Sequence, residues 1–422
     1  MRKKNALLLI AFLLTGWSLS AQNQKDPLPN LINRAIEVNP NIKMLQAKLH
    51  AARENIQIGT HLSDPVLSLG LMNVPTNTFS LNQEAMTAKV LGLTQAIPYP
   101  GSLKAKADVK SMDTLIIRQQ IADLNNNIRD MVSELYFSLQ EKRKEVDLAN
   151  ESVDLLKQIS LVAKRKFEVG TASLQNIILI EVQLTRLKDK IESLNGEEQA
   201  IQAQINAYLL RNDSILIPTT KILPIEVQNI KTESLLKLAE QHRPLLKGIK
   251  LYENKARLQQ KEAKFAFYPN FKVGVQYSQR SYNSISGMNY PDFLGVVVGV
   301  TIPINYGGKK TAKVNRTRYL QDLYKQQYNT SLQVLQQHFG KINSRLSALQ
   351  NREKLVSKTL LPQAIQSYQA AMADYQVNKI DFVNVMKAED AILKIKTELA
   401  VIRTAYNKNK AKLEFLSGTG SN

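Results

Sequence analysis

The sequence contains no cysteine. That excludes disulfides, thiolate metal sites, a cysteine nucleophile and an acylated cysteine at a processed N-terminus. The four histidines, His50, His61, His242 and His338, are scattered, and Met72 and Met86 sit in strand-like sequence, so no metal site is expected. There is no His-Glu-x-x-His pair, and Gly307-Gly308-Lys309-Lys310-Thr311 lacks the glycine spacing of a phosphate loop. No enzyme activity and no cofactor are therefore expected. The single tryptophan is Trp17. Past the first twenty residues, no apolar run approaches the roughly 18 residues that a transmembrane helix needs.

Prolines number only 14, so their placement is informative. Asn39-Pro40 is matched by Arg243-Pro244, Pro65 by Pro269, and Ile97-Pro98 by Ile302-Pro303, at offsets of 204 to 205 residues. Phe167–Thr171 against Tyr375–Lys379 gives 208, which carries the correspondence further along the chain. The chain reads as an internal duplication forming one pseudo-symmetric body.

Arg2, Lys3 and Lys4, the apolar run Ala6–Leu14 and the small residues Ser18–Ala21 read as a secretory signal peptide over residues 1–21. Its removal would reduce the net charge from +20 to +17. In an exported chain with lysines spread over helical sequence, that charge reads as solvated helix faces rather than a nucleic-acid surface.

The first repeat, 22–220, is expected to begin with an extended arm over residues 22–30 and a helix over 31–60. Strands at 64–74 and 86–97 follow, then a long helix at 102–168 and a return helix at 174–210. An irregular junction over 211–230 leads into the second repeat, 221–422. That repeat continues with a helix at 235–266, strands at 269–281 and 291–303, a long helix at 309–376 and a return helix at 382–416. Apolar residues step by three or four along the long helices, at Ile121, Leu124, Ile128, Met131, Leu135 and Leu139, and at Leu332, Leu335, Phe339, Ile342, Leu346 and Leu349. At about 1.5 Å per residue each long helix would reach roughly 100 Å. The shorter helices of each repeat, stacked end to end, would match it. The fold class is mostly α, a duplicated long-helix coiled-coil tunnel with strands emerging at one end.

The four strand runs are 8 to 13 residues long depending on where they are cut, which brackets the ~9–11 residues of a membrane-spanning β-strand. Nine of the 26 phenylalanines and tyrosines fall within Phe265–Tyr306, as an interfacial girdle requires. Four strands in lipid leave open edges, so one chain cannot close the sheet. Two copies would give eight strands with a filled bore, and three would give twelve with room for a channel.

Leu31-x-x-x-Ala35-x-x-x-Asn39-Pro40 and its echo Leu235-x-x-x-Ala239-x-x-x-Arg243-Pro244 carry a resemblance. So do Asp64-Pro65, Tyr268-Pro269 and the sheet-to-helix exits at Pro98, Gly101, Pro303, Gly307 and Gly308. In this order the chain resembles the TolC-like outer-membrane efflux protein family. The stretch Asp64–Gln83 looks most like the branch that works with heavy-metal resistance pumps. The resemblance implies a homotrimer with a 12-stranded outer-membrane barrel continuous with a periplasmic helical tunnel. It also implies a periplasmic adaptor and an inner-membrane, proton-driven pump as partners, beside outer-membrane lipid. Metal ions or small toxic compounds would be the cargo. It makes Val169, Gly170, Thr171, Val377, Asn378 and Lys379 the hairpin tips where the adaptor docks, and places Asp381, Asn384 and Lys387 at the periplasmic gate. An exit channel of a protein secretion system, or a structural coiled-coil scaffold of the envelope, stand as alternatives.

Overall fold

The computed structural model describes residues 28–226 and 231–421. The expected signal peptide, residues 1–21, and residues 22–27 of the expected arm lie outside the described residues. Leu28–Asn30, expected to be extended, already belong to helix α1, Leu28–Val38.

Residues 31–60, expected as one helix, form two: α1 and α2, Pro40–Thr60. Proline drives the residue before it out of the helical region, and Asn39 accordingly sits at φ −61°, ψ 122°. Its side chain accepts the amide of Asn41 at 2.9 Å, capping α2. The same break recurs at Arg243 (φ −67°, ψ 118°), which splits the expected helix 235–266 into α5, Thr232–His242, and α6, Pro244–Lys264.

Strands β1, Val66–Met72, and β2, Ala88–Ile97, precede the 67-residue helix α3, Ser102–Glu168, and the return helix α4, Leu174–Tyr208. In the second half β3, Phe271–Arg280, and β4, Phe293–Val300, lead to α7, Lys309–Leu355. The expected strands 269–281 and 291–303 are trimmed at prolines 269, 291 and 303, which cannot donate to a ladder. The expected helix 309–376 carries a π-helical turn at Val356–Leu360 before α8, Leu361–Gln376. Pro362 accounts for it: a ring with no N–H displaces the carbonyl ladder one turn upstream, and the extra residue absorbs the displacement. The last helix is α9, Phe382–Ser417.

The strands form one antiparallel sheet in the order β1-β2-β3-β4. The β2–β3 pairing, from Ala88↔Arg280 to Ile97↔Phe271, joins the two halves of the chain. β1 and β4 are edges.

Helices α1, α2, α4, α6 and α9 pack along α3, whose buried stripe includes Ile128, Val132, Leu139, Leu156 and Ile159. Met131, expected in the α3 seam, is exposed; Val132 and Tyr136 are buried instead, because α1 and the junction Ile217 pack from that side. The α7 seam stands as read, with Leu335, Phe339, Ile342 and Leu349 buried. At the end of α9, Gly418 (φ +74°) passes so close to Arg243 that a Cβ there would lie 2.7 Å from its backbone. The Arg243 guanidinium donates to the Leu416 carbonyl at 2.9 Å and lies over the Phe415 ring. That arginine fastens the α5–α6 corner to the chain's last helix.

Candidate functional site

Two ends of the molecule carry the site, the sheet at one and the helical hairpin tips at the other, separated by α3, roughly 100 Å long at 1.5 Å per residue.

Strand register sorts the sheet residues by face, because directly paired residues point the same way. One face carries Leu69, Leu91, Tyr277 and Leu294 in one cross-strand row and Leu67, Leu93, Val275 and Val296 in the next. The opposite face carries Ser68, Gly92, Gln276 and Gly295 in one row and Gly70, Val90, Ser278 and Phe293 in the next. On the apolar face Leu69, Leu294 and Val296 are 78%, 73% and 70% exposed. The buried positions of β2 and β3 (Ala88, Gly92, Gly274 and Ser278) all lie on the small-residue face, which is therefore the concave one. A Cβ at Gly92 would lie 2.6 Å from the Ser68 hydroxyl, which would have to turn aside to admit a side chain. An apolar convex face and a concave face richer in small and polar residues are the pattern of a barrel-wall segment.

The exits from the sheet are turns with positive φ at Gly101 (86°), Gly307 (57°) and Gly308 (73°), conformations that a Cβ disfavours. Asn270 ties the two exits together. Its side chain accepts the Tyr99 amide at 3.1 Å, and its carbonyl accepts Thr301 at 2.8 Å. Tyr99, Phe265 and Tyr268 pack as an aromatic cluster with centroids 4.6 to 6.2 Å apart. Pro98 and Pro303 stand on these turns as the sequence places them.

At the far end both tips close in the same way. The Thr171 amide donates to Lys166 O at 2.8 Å and Gly170 to Phe167 O at 2.9 Å; Lys379 donates to Asp374 O at 2.8 Å and Asn378 to Tyr375 O at 3.1 Å. Each is a Schellman motif whose left-handed residue is Gly170 (φ 73°) or Asn378 (φ 63°). Asparagine is the commonest stand-in for glycine there. Val169 and Val377 point outward, 72% and 63% exposed. Lys166, the first residue of the first tip, makes contacts that sequence reasoning did not foresee. Its ammonium donates to Tyr375 O (3.0 Å), Gln376 O (2.9 Å) and Asn378 Oδ1 (2.6 Å), so the first hairpin caps the second. A cation against the last carbonyls of a helix is the favourable end of its dipole. Position three residues before the Val-Gly tip was the available signal.

Asp381 is the N-cap of α9, and Asp381, Asn384 and Lys387 are all exposed while Phe382, Val385 and Glu389 are buried. At about 100° per residue, steps of three retreat by about 60°, which puts Asn384 and Lys387 on one face and Asp381 about 120° from Lys387. Lys387 forms no ion pair among the described residues; Asp390 is taken by Lys394 at 2.6 Å. Glu389, two residues beyond Lys387, accepts a hydrogen bond from Ser152 on α3. Among the described residues, no cluster of acidic and histidine side chains is placed to hold a metal ion, and no helix is long and apolar enough to cross a membrane.

A curled sheet continuous with a long helical bundle is the fold of outer-membrane channel proteins. VceC of Vibrio cholerae, an outer membrane protein, has a TM-score of 0.74 over 93% of this chain and 96% of its own, at 15% identity. CusC, solved in a study of folding and transmembrane channel formation, gives 0.75 over 94% and 92%, at 17% identity. The Campylobacter jejuni CmeC outer membrane channel gives 0.72 over 93% and 86%, at 14% identity. Sequence comparison with curated proteins finds no match. The second half of the chain, residues 235–419, matches the family model described as outer membrane efflux protein, and the family resemblance read from the sequence stands.

Proposed function

We propose that the protein is the outer-membrane exit duct of a tripartite efflux system. It would passively conduct metal ions or small toxic compounds from an inner-membrane pump to the exterior, through a periplasmic adaptor. The observation that carries this reading is the two-faced sheet with unpaired edges. Hydrocarbon does not tolerate open strand edges, and pairing β4 of one copy with β1 of the next removes them. Three copies give twelve strands and a bore wide enough to conduct. The small concave face would line that bore. The α3–α4 and α8–α9 hairpins would then extend into the periplasm, with their tips toward adaptor and pump and Asp381, Asn384 and Lys387 near the aperture. A secretion-system exit channel would use the same body and differ only in its pump. An envelope scaffold has no use for an apolar convex sheet. Heat-modifiable trimers from outer-membrane fractions, together with single-channel conductance, test the proposal. A monomer without conductance in planar bilayers would sink it.

A further inference from the structure

We infer that the first turns of α7, together with those of α3, form a basic collar that binds anionic phospholipid headgroups of the leaflet bordering the helical end of the sheet. The inference rests on the channel reading, which places the apolar sheet face in lipid. Between Phe293 and Gln321 the chain carries five cations (Lys309, Lys310, Lys313, Arg316 and Arg318) and no carboxylate. None of the five forms an ion pair among the described residues, although Asp322 lies only four residues beyond Arg318. Lys309, Lys313 and Arg316 recur at i, i+4 and i+7, a single exposed stripe of α7. At the helix start these charges are electrostatically unfavourable. The first turn of α7 has no acidic residue, and a helix start disfavours positive charge. From Lys309 to Arg318 the helix rises about 14 Å, so the stripe covers the depth at which headgroup phosphates lie below a barrel wall.

The aromatic belt fixes that depth independently. Tyr306, 79% exposed, immediately precedes the stripe, and Lys310 lies 5.9 Å from the centroid of the Phe267 ring. Aromatic rings collect at the membrane–water boundary. On α3, Lys104 and Lys106 extend the collar. The Lys106 stem packs 3.8 Å from where a Gly59 Cβ would stand, so its apolar length is used and its ammonium is left free to reach outward. Basic side chains at such a surface attract anionic lipid, and salt weakens the attraction.

The test uses the purified full chain in phosphatidylcholine vesicles and measures association of spin-labelled phosphatidylglycerol against spin-labelled phosphatidylcholine. Wild type is expected to prefer phosphatidylglycerol several-fold, with the preference falling as salt is raised. The combined variant Lys309→Gln, Lys313→Gln, Arg316→Gln is expected to lose most of it, while Lys325→Gln with Lys341→Gln, further along α7, retains it. Equal association of wild type with both lipids, or an equal loss in the distant pair, overturns the collar. The salt titration of wild type decides the matter even if the triple variant does not fold. Failure of wild type to insert into either vesicle overturns the channel reading, and the collar with it.

Discussion

Glu389 is a carboxylate 3% exposed in an otherwise apolar core where α3, α4, α8 and α9 meet. One oxygen bonds Ser152 and the other, Oε2, has no partner. Burial first, then the Asp390 charge, raises it from 4.5 to about 7, with Lys396 opposing. Across the contact, Glu151 of α3 is engaged by Lys396 at 2.9 Å, and Tyr368 of α8 is itself raised by burial and by Glu389. A raised acid is one that the fold holds protonated. The stability that this contributes is fully present below pH 4.5 and lost as pH rises through about 7. A shift of that size corresponds to about 3 kcal/mol. Glu389→Gln should therefore show flat urea midpoints across this window while wild type declines. Parallel profiles for the two proteins would mean that water reaches Glu389 and relieves its burial.

At the scale of elements, the sheet faces give a paired test. Val296 and Val297 are adjacent in β4 and point to opposite faces, Val296 with Val275 on the convex side and Val297 with Gly274 on the concave one. Lysine on the lipid side of a barrel costs about 2–4 kcal/mol near the midplane. Val296→Lys should depress trimer yield in outer-membrane fractions and Val297→Lys should not; equal yields would reverse the assignment of faces. The tips make a different demand. Gly170 has open space around its missing Cβ, so Gly170→Val introduces backbone strain without a clash, about 1–2 kcal/mol for a left-handed residue. Barrel assembly should survive and efflux should fall, whereas Asn378→Gly should keep both. Full resistance in Gly170→Val would remove the tip from function. Length and periodicity made these elements legible, since a 67-residue helix and an alternating strand each repeat their signal many times. The breaks at Asn39 and Arg243 and the π turn before Pro362 were less legible. A proline near a helix start is compatible with continuing, kinking or restarting the helix, and tertiary packing selects among them. Lys166 was legible only by its place three residues before the Val-Gly tip and Glu389 not at all, because their partners lie 212 and 237 residues away in sequence.

At the scale of the whole molecule, the aperture is where threefold assembly would multiply single side chains into rings. Asn384 and Lys387 share an exposed face of α9 just past the second tip, so a trimer would present three asparagines and three lysines toward one axis. Like charges converging in a narrow throat disfavour one another unless an opposite charge or water intervenes. Among the described residues of one protomer no carboxylate takes that role: Asp390 is held by Lys394 and Glu389 is buried against Ser152. Asp381 lies about 120° round the helix from Lys387, so it could offset the lysines only across the aperture, from a neighbouring copy. The expected result is a constriction that repels cations. Lys387→Asp would replace three positive charges by three negative ones and should make conductance sensitive to trivalent cations added from the periplasmic side. Wild type should be far less sensitive at the same concentration. If wild type is blocked as strongly as the variant, the lysines do not face the pore.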